Sequence, residues 1–344
     1  MASKSSAKKE FDWRDYSRPE RRLSEGLELA LQEGHLGEVR AYARSDSNLS
    51  LQIRADQATL YYRGFSLLRI RDAEEGLIAD VDANLRLRRA ERASAERLET
   101  VPARDATETS HLLEVVDDLR KGLDRWSAAG EPPPSRSHLL EFLAANAGRT
   151  AISDELLVVD IEYPYGRRKF DFVALRRAPS VGGAAAFTTP RLVLGDLRYP
   201  GRTLGGSSRP SEFGSDAGEL AHALSGEHLA RVRAEVAELT DQKQRLGLLP
   251  ADIPFDRIAE GNPDLLEVFT DPAVAEQRFD APLAELHDKL IARRFPVDHL
   301  RFAAVGAARE GGVAPGSVAG GLTVESEDVL DYRAFKALRK RRRA

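Results

Sequence analysis

The sequence predicts a mixed α/β (α+β) fold in two parts, on three observations. Strand-like segments with a period of two occupy residues 48–80. Three apolar strand runs follow one another between residues 156 and 198, directly after a helical segment. A long helical stretch then leads to one more apolar run at 300–305. With 344 residues, 42% hydrophobic and 31% charged, the chain can bury one large core or two ordinary ones, which excludes disordered and fibrous classes for most of its length.

The N-terminal part opens with Met1 to Lys9, rich in Ser and Lys with no apolar stretch behind it, so a flexible end over 1–17 is expected rather than a signal peptide. Leu23, Leu27, Leu29, Ala30, Leu31 and Leu36 recur at steps that include three and four residues and predict one or two short helices between Arg18 and Arg44. The period then changes. Leu49, Leu51 and Ile53, then Leu60-Tyr61-Tyr62-Arg63-Gly64 and Phe65 to Ile70, read as a meander, with Ala55-Asp56-Gln57 as a turn. Leu112, Val115, Val116, Leu119, Leu123 and Trp126 share one helical face over 105–128. Pro132-Pro133-Pro134 cannot continue that helix and sets the boundary between a first region, 18–130, and a second, 135–306.

In the second region, Ser135 or Ser137 caps a helix carrying Leu139, Leu140, Phe142, Leu143 and Ala145 and closed by Gly148. The strand runs are Leu156–Ile161, Lys169–Leu175 and Arg191–Arg198, with Tyr163-Pro164-Tyr165-Gly166 as the first turn and a Gly/Ala-rich loop over 177–190 as the second connection. A Gly/Ser-rich loop over 201–214 precedes a helix over 217–246 stopped by Gly247. After the strand at 300–305 come a Gly-rich loop over 306–321 and a terminal helix over 327–343, which form a last segment, 307–344.

Fifty-one basic against 55 acidic residues give a net charge of −4, so no global basic field attracts nucleic acid, and a polyanion must meet a local patch. The absence of cysteine excludes disulfides, thiol nucleophiles and thiolate zinc sites and fits a reducing compartment. No run approaches eighteen apolar residues, so no membrane partner is expected and the cytoplasm is the default location. Walker loops, dinucleotide fingerprints and serine–histidine motifs do not occur.

Polar residues interrupt the apolar strands at a few positions. Glu162 ends the first, Asp171 lies between Phe170 and Phe172 in the second, and Asp196 and Arg198 end the third. Residues two apart on a strand share a face, so Asp196 and Arg198 project together, and an antiparallel pairing of the second and third strands lets Asp171 join them. Converging carboxylates make a hard-oxygen site suited to Mg²⁺ or Mn²⁺. The same pattern also fits a structural ion pair, with Arg167, Arg168, Arg176, Arg191 and Arg198 at hand.

With its helix, three strands, helix and strand, its Asp171, and Asp196-Leu197-Arg198, the chain resembles the PD-(D/E)XK restriction-endonuclease-like superfamily. The stretches Asp160-Ile161-Glu162-Tyr163, Arg168 to Leu175, Ser215, Gly218, Leu220 and His222, and Gln242-Lys243 are similar to a bacterial branch of it, which also has a counterpart of Tyr61-Tyr62-Arg63-Gly64. The resemblance implies a restriction-endonuclease-like α-β-β-β-α-β core and metal-dependent cleavage of nucleic acid, DNA before RNA, in defence or repair. It further implies that Asp171, Asp196 and the Leu197 carbonyl hold Mg²⁺ or Mn²⁺.

The chain departs from the family at two points. Arg198 stands where the motif has Lys, and the helix Glu is missing, with Glu141 as a shifted candidate. Arginine stays protonated and cannot act as the base, though it can hold phosphate. Lys169, two residues from Asp171, is a candidate for a migrated substitute. These departures leave open a catalytically degenerate descendant that binds nucleic acid or protein. His222 either borders the site or is a partly buried helix histidine. Gln242 and Lys243 either lie near phosphates or on a solvated helix face, and the tail Arg339 to Arg343 is either a phosphate-docking patch or a solvated end. Tyr61-Tyr62 reads as packed strand aromatics or as a base-stacking platform.

Overall fold

A computed structural model describes residues 21–46, 48–82, 98–128, 135–146, 156–165, 168–176, 189–198, 226–250, 257–269 and 299–304, with short pieces at 287–288, 291–292, 330–331, 333–334 and 337. The first part starts with α1 (Glu25–Gln32), capped by Ser24, whose hydroxyl accepts the Leu27 N–H, and α2 (Gly37–Ser45). Leu23, Leu27, Leu31, Leu36 and Val39 are buried beneath them.

Five antiparallel strands follow in meander order: β1 (Leu49–Arg54), β2 (Gln57–Tyr62), β3 (Phe65–Ala73), β4 (Gly76–Asp82) and β5 (Leu98–Pro102). The meander thus has two strands more than the three segments read from its alternation, and β5 lies beyond the expected range of 48–80. The β2–β3 turn has both central residues in the left-handed region, Arg63 at φ 48° and Gly64 at φ 88°, the sense that matches the strand twist. Tyr61 and Tyr62 are buried rather than arranged as a stacking platform: the Tyr62 hydroxyl donates to Asp124 at 2.7 Å, and Arg120 lies 4.9 Å from its ring centroid. The helix α3 (Ala106–Ala128) buries Leu112, Val115, Val116, Leu119 and Leu123 at the expected spacing. The Pro132–Pro134 boundary and the side chain of Trp126 lie outside the described residues.

The second part is built from α4 (Ser135–Asn146), β6 (Leu156–Tyr165), β7 (Arg168–Arg176), β8 (Arg191–Arg198), α5 (Gly226–Arg245), β9 (Asp264–Phe269), β10 (Leu300–Ala304) and β11 (Leu330–Asp331). The sheet order is β11-β10-β9-β8-β7-β6; β6, β7 and β8 are antiparallel, while β8, β9 and β10 are parallel. Three expectations need correction. Tyr163, Pro164 and Tyr165 continue β6 instead of turning, because Tyr163 is fully buried and pairs with Phe170. The segment Asp264–Phe269 is a central strand with every residue buried, and it separates the expected run at 300–305 from β8. Within the expected terminal helix, Leu330 and Asp331 instead pair antiparallel with Phe302 and Arg301. The Gly-rich loops at 201–214 and 306–321 and the tail at 339–343 lie outside the described residues, as does 177–188.

Two apolar clusters hold these layers. In one, α4 packs on β6 and β7, with the Phe142 and Phe172 ring centroids 4.8 Å apart, and the cluster extends to residues of β8, β9 and β10. In the other, Leu229, Val232, Val236 and Leu239 of α5, at steps of three and four, join Leu157, Val159 and Tyr163 of β6 to α1, α2, β1–β4 and α3. Both parts of the chain therefore share one continuous core.

Candidate functional site

The strand register lines up four acids. Ile161 opposite Phe172 and Tyr163 opposite Phe170 bracket Glu162 against Asp171. Phe172 opposite Gly195 is the terminal pair of the β7–β8 ladder and brings Asp171 and Asp196 to the next step. Asp196 then pairs with Glu267 across the parallel β8–β9 ladder. The result is a lateral row, Glu162-Asp171-Asp196-Glu267, over four neighbouring strands. Asp171 is 3% exposed, Asp196 6% and Glu267 6%.

Asp171 and Asp196 take over where the β7–β8 ladder stops. The Leu197 N–H donates to Asp171 Oδ2 at 2.9 Å, and the Asp171 N–H to Asp196 Oδ1 at 3.4 Å. Each carboxylate thus satisfies a buried backbone donor on the adjacent strand, which fixes both and ties them together. At the β6 end, Lys169 Nζ donates to Glu162 Oε1 at 2.9 Å. Glu162 has φ 53°, a left-handed backbone uncommon for a residue with a long side chain.

The row offers oxygen donors alone, which suits a hard divalent cation. Among the described residues, no three His, Cys, Asp or Glu side chains stand close enough to hold one ion together. Asp171 and Asp196 remain as a pair, and one or two carboxylates completed by water and phosphate oxygens are the usual protein share of a Mg²⁺ site. Glu141 stands on the exposed face of α4, 3.9 Å from His138, and partial burial raises its carboxyl above the ordinary range. Arg198 closes β8, and its side chain, like all of His222, lies outside the described residues.

Gln242 and Lys243 are not on a solvated face. The Leu23 N–H donates to Gln242 Oε1 at 3.1 Å, and Gln242 Nε2 donates to Glu28 Oε2 at 2.9 Å. Lys243 belongs to a buried hub around Asp160. Its ammonium donates to the Val159 carbonyl at 2.6 Å and to Gln52 Oε1 at 2.8 Å, and lies 3.6 Å from Asp160 Oδ1. Arg54 Nη1 reaches Asp160 Oδ1 at 2.6 Å, and Arg21 Nη1 binds Asp160 Oδ2. Arg21 also donates to the Ile161 carbonyl at 3.1 Å and to the Glu162 carbonyl at 2.5 Å.

This arrangement has an electrostatic cost and a structural reason. Burial alone would raise the Asp160 carboxyl, but Arg21, Arg54 and Lys243 hold it well below the usual carboxylate range. Burial pushes the Lys243 ammonium down to about 8 against the pull of Asp160. The three cations exceed the one carboxylate because they also serve carbonyls: β6 is an edge strand with a register shift between Val158 and Asp160, and the Val159, Ile161 and Glu162 oxygens are capped by side chains.

Sequence reasoning did not single out Glu267 or the roles of Arg21, Arg54 and Asp160. The signal for Glu267 was the same as for Asp171, a carboxylate inside an apolar run, Leu265-Leu266-Glu267-Val268-Phe269. Compared with protein-family models, curated proteins and solved structures, the chain matches none of them.

Proposed function

We propose that the chain is a metal-dependent nuclease that hydrolyses phosphodiesters of nucleic acid, DNA rather than RNA. The observation that carries the reading is the fixed, buried pair Asp171 and Asp196 on adjacent antiparallel strands, within the element order α4-β6-β7-β8-α5-β9 and with β9 parallel to β8. That order and those two acids are what the resemblance to the PD-(D/E)XK superfamily leads one to expect, and a restriction-endonuclease-like core is part of the proposal. A cytoplasmic location accords with the lack of cysteine and of any described helix long and apolar enough to cross a membrane.

In this reading Asp171, Asp196 and the Leu197 carbonyl hold Mg²⁺ or Mn²⁺. The bound ion would activate water and neutralise charge on the phosphate. Lys169, held by Glu162 at the end of the row, orients the attacking water or contacts the phosphate. Arg198 contributes phosphate binding and stabilises developing charge, since its guanidinium stays protonated. Gln242 and Lys243 act through the core, not as substrate contacts.

A second reading is a degenerate descendant of the fold that binds nucleic acid or protein without cutting. The engagement of both aspartates with backbone donors and the Arg at position 198 favour it. A cleavage assay on mixed DNA and RNA with Mn²⁺ separates the two. The nuclease reading expects cutting by the wild type that vanishes in Asp171→Ala/Asp196→Ala; a wild type that binds but never cuts supports the second reading.

A further inference from the structure

We infer that Arg21 is a positioning residue for the acid row, acting through the backbone of Glu162; this rests on the proposed metal site. Arg21 precedes the first helix, far in sequence from β6, yet its guanidinium takes the Ile161 and Glu162 carbonyls and the Asp160 carboxylate together. The planar guanidinium holds its donors in a rigid fork, whereas an ammonium on a flexible stem fixes no such angles. The Glu162 backbone it grips is the one left-handed position in the described part of the acid-bearing strands outside glycine.

The conformation at Glu162 decides which way its side chain leaves the strand. In an ordinary extended backbone, side chains alternate strictly between faces; φ 53° breaks that alternation. The carboxylate so placed holds Lys169 Nζ at 2.9 Å. Lys169 stands two residues from Asp171 on β7, so an ammonium released by Glu162 becomes a competitor for the Asp171 carboxylate. Arg21 thus keeps Glu162 on Lys169 and leaves Asp171 to the cation. Arg54 joins the same hub but bonds Asp160 and the Ile53 carbonyl, not Glu162, and serves as the control.

The test is Mn²⁺ titration by calorimetry on the full chain, together with thermal melting. Arg21→Lys should weaken Mn²⁺ on the order of tenfold, as loss of an outer-shell partner does. Arg54→Met should lower the melting temperature while leaving the Mn²⁺ Kd within about twofold. In a Glu162→Gln background, Arg21→Lys should change the Kd by less than about twofold, because the route through Glu162 is already cut. Arg21→Gln reads the same contact if the Lys variant does not fold. Wild-type binding with equal affinity in Arg21→Lys overturns the inference alone, as do additive effects with Glu162→Gln or failure of both Arg21 variants to fold. A wild type that binds no Mn²⁺ overturns the metal-site reading and the inference with it.

Discussion

Lys243 illustrates how a residue's surroundings override its usual role. Lysine normally keeps its ammonium in water, but here the whole side chain is buried between α5, β1 and β6. Arg21, Arg54 and Asp160 are the charged groups that face it, with Tyr61 and Tyr163 beside the two arginines. Because its pKa falls to about 8 in the fold from 10.5 in the open chain, the unfolded state holds a proton that the folded state has shed between those values. Stability therefore rises with pH across that window and is lowest below it, where the folded ammonium is charged. Urea unfolding from pH 7.5 to 10 should show this rise in the wild type and a flatter profile in Lys243→Met; equal slopes would contradict it.

At the scale of elements, the β7–β8 ladder shows why the site sits where it does. Phe172 lies directly over Gly195, and a Cβ on Gly195 would come 2.0 Å from the ring tip. Only glycine fits beneath the ring, and Asp196 follows at once. Gly195→Ala should therefore drive Phe172 off Phe142 and destabilise the chain by about 1–3 kcal/mol, read by chemical denaturation. A change below about 0.5 kcal/mol would show that the ring yields freely. The three apolar runs, α3 and α4 were legible because periodicity and proline or glycine stops act locally. Strands β5 and β9 were not: β5 has a mixed pattern, Leu98-Glu99-Thr100-Val101-Pro102, and the apolar run of β9 was passed over, its central place being fixed only by parallel pairing with β8 and β10. Asp171 and Asp196 stood out as charges in apolar runs. The hub around Asp160 did not, because its cations come from positions 21, 54 and 243, and nothing local marks them as partners.

Over the whole molecule, the N-terminal helices and meander do not stand apart from the second sheet. One apolar cluster runs through both, and the polar face of β1, with Gln52 and Arg54, closes on the outer edge of β6. The edge strand that carries Glu162 is thus finished by the other half of the chain. Whether Asp171 and Asp196 take a divalent cation decides between a nuclease and a degenerate fold. The most direct measurement is calorimetric titration of Mn²⁺ into the wild type and into Asp171→Ala/Asp196→Ala, each checked for folding by circular dichroism. A metal-holding pair gives saturable binding by the wild type that is lost in the folded double variant. Equal binding by both, or none by the wild type, would contradict it.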